Sequence, residues 1–117
     1  MAKFLFVYRN SADSYKTMTP EVMQEMMQKW NDWITDGIRQ GWMIDAGDGL
    51  KPEGRVVKSK KVVTDGPFTE AKELVGGFSI VQTETLDQAA ELAKGCPIFL
   101  RGGSVEIRQL QGFTMGK

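Results

Sequence analysis

The order of local patterns along the chain predicts an α+β fold running strand, helix, hairpin, strand, helix, strand. Three observations carry that prediction. Short apolar and aromatic runs at 3–8, 75–82 and 105–108 have the length of strands. Apolar residues recur every three or four positions after Thr19 and again after Thr85, as helices require. Glycine- and proline-bearing segments separate these stretches. With 117 residues the chain has the size of one domain, so a single domain over residues 1–117 is expected.

The first strand is Lys3 to Tyr8, apolar and followed by the polar stretch Arg9 to Thr17. Thr19-Pro20-Glu21 then supplies a capping hydroxyl, a proline in the first turn and a carboxylate at the positive end of the helix dipole. Met23, Met26, Met27, Trp30, Trp33, Ile34 and Ile38 form the apolar face of the long helix, and Gly41 ends it. Trp42 to Leu50 reads as the irregular first arm of a hairpin. The turn signal Lys51-Pro52-Glu53-Gly54 leads to the second arm, Arg55 to Thr64. Lys58-Ser59-Lys60-Lys61 marks the middle of that arm as an exposed edge. Val75 to Gln82 is the next strand, and Thr85-Leu86-Asp87-Gln88 has the form of a capping box. Leu86, Ala89, Ala90 and Ala93 give the second helix a small-residue face, Gly95 and Pro97 stop it, and Val105 to Arg108 alternates as a last strand. The sum is a ferredoxin-like β-α-β-β-β-α-β sandwich. Two helices cover one face of such a sheet. Phe4, Phe6, Tyr8, Phe78 and Ile80 supply more apolar surface than they need, so face-to-face dimerisation is expected.

Composition narrows the chemistry. Fifteen basic residues balance fifteen acidic ones, which argues against nucleic acid and anionic membrane as partners. No apolar run approaches the roughly 20 residues of a membrane span. Met1 to Tyr8 lacks a signal-peptide pattern, so a cytoplasmic location is expected. The chain has one cysteine, Cys96, and no histidine. That removes intrachain disulfides, the usual zinc ligand sets and the Ser-His and Cys-His nucleophile pairs. Carboxylate-only sites would favour magnesium or calcium, and no metal or cofactor is expected. Cys96, beside Pro97, reads as a buried small residue.

The stretch Thr64-Asp65-Gly66-Pro67-Phe68-Thr69-Glu70-Ala71-Lys72-Glu73-Leu74-Val75-Gly76-Gly77-Phe78 resembles the signature of the YCII-related family in its DGPF branch. The first strand, the Gly41-Trp42 pair after the first helix and the closing Val105-Glu106-Ile107-Arg108 agree with it. The resemblance implies a dimeric α/β barrel. Some members of the family carry a His-Asp pair proposed as a pseudo-active site. Without a histidine the pair is not carried over, although Asp45 or Asp48 falls in the region of its acidic partner.

Asp65 can accept hydrogen bonds from its own turn, Pro67 fixes that backbone and Phe68 can anchor it, which is a structural reading. In a ligand-site reading, Thr69 and Glu70 open a short helix whose free amides, with Lys72 nearby, suit an anionic group. Glu70 and Glu73, three apart, are candidates with Asp65 for acid or base work, or else a solvated face. Tyr8 and Trp42 are expected at the rim of a cavity, with one wet end each. Trp30 and Trp33 read as core or dimer packing.

Two functions remain open at this point. One is a small-molecule enzyme or binder whose pocket lies between helices and sheet, near the DGPF turn, or at the dimer seam. The other, suggested by the family's links to extracytoplasmic-function sigma factors, is a non-catalytic interaction module with a protein partner. The residues specify neither a reaction nor a substrate.

Overall fold

A computed structural model describes residues 1–11, 18–66 and 73–112. The elements are β1 (Ala2–Ser11), α1 (Pro20–Gln40), β2 (Met43–Gly49), β3 (Gly54–Val57), β4 (Val63–Gly66), β5 (Glu73–Thr83), α2 (Leu86–Ala93) and β6 (Ser104–Gln109). Four strands form an antiparallel sheet in the order β2-β5-β1-β6. β5 lies between β1 and β2, and β1 lies between β5 and β6. The chain therefore interleaves two split β-α-β units, one carried by each helix.

The expected hairpin of residues 42–50 with 55–64 does not form. β2 pairs with β5, and the stretch read as one arm is itself a hairpin, β3 against β4. The lysines placed on a strand edge make its turn: Lys61 N donates to Lys58 O at 3.0 Å and Lys58 N to Val62 O at 2.7 Å. Lys60 and Lys61 both adopt left-handed backbone there. Left-handed residues match the twist of a tight hairpin, but lysine is a poor signal for them, so the sequence conceals this turn.

Both helices begin where their caps dictate, and α1 also ends at one. Thr19 Oγ1 accepts from Val22 N at 3.2 Å, and Gly41, at φ 90°, closes α1. Thr85 Oγ1 accepts from Gln88 N at 3.1 Å, while Gln88 Oε1 reaches back to Glu84 N at 2.9 Å. This is a variant of the capping box displaced by one residue.

Alternation along β1 sorts the sheet into two faces. Phe4, Phe6 and Tyr8 are buried toward the helices with Val81, Ala89, Ala93, Cys96 and Ile98. The Phe6 ring stacks on Trp33 of α1 at 6.4 Å between centroids, and Tyr8 meets Trp30 edge-on at 4.8 Å. Burial pushes the Cys96 thiol up to about 12, so it stays protonated at neutral pH.

The opposite face carries Leu5 and Val7 of β1 directly across from Ile80 and Phe78 of β5. All four are partly exposed and stand outside the helix-side core. Arg9 donates to Glu106 through Nε at 3.0 Å and Nη2 at 2.9 Å. That hydrogen bonding, helped by the charges of Arg9 and Arg108, holds the Glu106 carboxyl below the usual carboxylate range. Among the described residues, no helix is long and apolar enough to cross a membrane.

Candidate functional site

A cavity of about 470 Å³ opens between α1 and the end of the sheet where β1, β2 and β5 meet. Its α1 wall is Met23, Met26, Met27, Trp30 and Ile34, which the helical period brings to one side. Tyr8 lines the sheet side, and Ile98, after α2, adds further apolar surface. Ala46 to Gly49 of β2 and Gly76 to Phe78 of β5 add a stretch rich in small residues. Met27 is 67 % exposed and Met23 is 40 % exposed, so the thioether wall reaches the mouth. Unbranched, polarizable methionines let such a wall adjust to different apolar shapes.

Two irregularities give this end of the sheet its form. β2 departs from regular register on either side of Asp45. Asp45 Oδ1 accepts from Gly47 N, and Asp48 Oδ1 from Gly49 N, each at 2.8 Å. Gly47 sits at φ +67°, its Cα so close to β5 that a Cβ would lie 1.8 Å from Phe78 O. Glycine is therefore fixed here by the close approach of two backbones.

A buried polar relay joins Tyr8 and Ala46, both of which line the cavity, through Ser79, which is fully buried. Tyr8 Oη donates to Ser79 Oγ at 2.8 Å, and Ser79 Oγ donates to the Ala46 carbonyl at 2.7 Å. Loss of hydration raises the Tyr8 pKa well above its ordinary value despite the bond to Ser79, so the phenol stays neutral. Among the described residues, no three His, Cys, Asp or Glu side chains gather as metal ligands would.

A sequence profile of the YCII-related domain matches residues 2–114, nearly the whole chain. The chain belongs to the YCII-related family. A search of curated proteins returns no significant match. Among solved structures, this YCII-related chain is similar to 5-chloro-2-hydroxyhydroquinone dehydrochlorinase (TftG) from Burkholderia phenoliruptrix AC1100, solved in complex with 2,5-dihydroxybenzoquinone. The two share 12 % identity over 95 % of this chain and 94 % of that one, with a TM-score of 0.48. At that distance no chemistry transfers from one to the other.

The residues singled out in the sequence fall in different places. Tyr8 lines the cavity. Trp42 lies at the other end of α1, over Gly37 and 5.5 Å from the Trp33 ring, with Nε1 donating to Gln40 Oε1 at 3.2 Å. Asp65 is in β4 with its side chain 95 % exposed, its Oδ1 3.6 Å from Arg55 Nε. Glu73 is the first residue of β5, opposite Ser11. Thr69, Glu70 and Lys72, together with the Pro67-Phe68 half of the turn, lie outside the described residues.

Ser79 does not stand out in the sequence, and Trp30 reads there as core or dimer packing. Ser79 carried a usable signal: it is the polar residue between Gly77 and Val81 on the buried side of a strand, and a buried hydroxyl needs a partner.

Proposed function

We propose that this YCII-related protein is a homodimeric dimeric-α/β-barrel domain, ferredoxin-like in each copy, that binds a small, largely apolar molecule in the cavity beside Tyr8. The observation that carries this reading is the cavity itself. It is concave, walled by methionines and Trp30, and has few polar groups, as small-molecule sites commonly do.

The test is a thermal-shift screen of the purified protein against small apolar and aromatic metabolites, with Trp30→Ala as control. A ligand at a hundred times its Kd adds about 2.7 kcal/mol to the native state. For a chain of this size that is about 10 °C in Tm. Trp30→Ala is expected to weaken any hit about tenfold, because it removes the largest ring on the α1 wall. A library that moves neither Tm nor tryptophan fluorescence would sink the proposal.

The same screen measures the role of the DGPF turn. Asp65→Ala is expected to change stability by less than about 0.5 kcal/mol, since an exposed ion pair at 3.6 Å is worth little. Hits should survive it. Hits lost in Asp65→Ala at unchanged Tm would instead extend the binding site to that turn.

The second reading, an interaction module for an extracytoplasmic-function sigma factor, draws on the β3–β4 hairpin. Val57, Val62 and Val63 are exposed there beside Lys58, Lys60 and Lys61, a combination suited to an acidic, partly apolar protein surface.

A further inference from the structure

The polarity of the Tyr8 relay deepens the small-molecule reading and rests on it. A carbonyl oxygen can only accept, so the single proton of Ser79 is committed to Ala46 O. The Ser79 oxygen must then accept from Tyr8, and this uses the single phenol proton. What Tyr8 Oη has left is acceptor capacity alone. We propose that the cavity selects ligands bearing a hydrogen-bond donor, a hydroxyl or amino group on an apolar body, which donates to Tyr8 Oη.

The discrimination comes from what the wrong group would cost. A ligand ether or carbonyl at this point would face an oxygen with no proton to give, having lost its own water on entry. Turning the phenol proton toward the ligand would instead strip Ser79 Oγ of its donor in the core, where an unmet hydrogen bond is expensive. Asn10 and Arg101 line the cavity too, and each already takes part in another interaction.

The test uses the full chain and three probes of one shape: naphthalene, 2-naphthol and 2-methoxynaphthalene, titrated by NMR. Wild type is expected to bind 2-naphthol about fivefold more tightly than 2-methoxynaphthalene, the value of one net hydrogen bond. Tyr8→Phe should bring that ratio to about one. Ser79→Ala should free the phenol proton for the ligand and bring the methoxy compound level with or ahead of 2-naphthol, which a merely structural role for Ser79 would not do. If naphthalene binds and wild type still treats the two oxygenated probes alike, the donor selection is wrong and the cavity reading stands. If none of the three binds, the small-molecule reading falls with it.

Discussion

Gly47→Val is expected to lower the melting temperature by roughly 12–20 °C. At Gly47 the backbone is left-handed and a Cβ would sit 1.8 Å from Phe78 O and 2.7 Å from its carbonyl carbon. Both obstacles are backbone, which cannot swing aside as the end of a side chain can. Relief requires β2 to move off β5, and this would pull apart the Asp45-to-Gly47 turn and the Ala46 carbonyl that anchors Ser79. A loss of about 3–5 kcal/mol is in the range reserved for such defects, and each kcal/mol is worth about 4 °C in a chain of this size.

Gly41→Ala separates the two contributions. Gly41 is also left-handed, at φ +90°, but nothing lies within 4 Å of where its Cβ would be. Only the conformational penalty of about 1–2 kcal/mol is expected there. Calorimetry of the two variants decides the matter: equal losses would mean that the close approach of β2 to β5 contributes nothing beyond backbone conformation.

That comparison also shows why the fold was more legible than the site. Gly41 was readable because a glycine after a helical period has one common use, as a helix stop. Gly47 was not, because its requirement comes from a strand that follows more than twenty residues later. The elements themselves follow from local signals: Thr19 and Thr85 as caps, and the alternation of β1. The hairpin pairing failed because Lys60 and Lys61 adopt left-handed backbone without the glycine or asparagine that announces it.

The cavity was half visible. Met23, Met26, Met27 and Trp30 read as one helical face, but whether a face packs or lines a hollow depends on what the sheet presents opposite. Here β2 and β5 contribute Ala46, Gly47, Gly49, Gly76 and Gly77, small residues that leave space, beside Asp48 and Phe78. Ser79 became meaningful only once Tyr8 and Ala46, 71 and 33 residues away, were seen beside it. The Asp65 turn stood out because it is a contiguous motif, whereas the Tyr8 relay draws one residue from each of three strands.

Leu5→Asp is expected to weaken the proposed dimer about a thousandfold while leaving the subunit folded. Leu5 is central on the face that the helices do not cover, opposite Ile80 on β5 and Arg108 on β6. In the separated subunit the new carboxylate would lie across from the Arg108 guanidinium, a tolerable cross-strand pair on a solvated surface. In a face-to-face dimer with two-fold symmetry the substitution occurs twice. Each copy forfeits about 2 kcal/mol of apolar burial, before any cost of desolvating the charge. The resulting ~4 kcal/mol corresponds to about three decades in Kd. Sedimentation of wild type and variant across micromolar concentrations reads this directly. A variant that sediments as a dimer with wild-type affinity would place the subunit contact elsewhere than on this face. A wild type that is monomeric throughout would remove the dimer from the proposal altogether, leaving Leu5, Val7, Phe78 and Ile80 as a surface for a different partner.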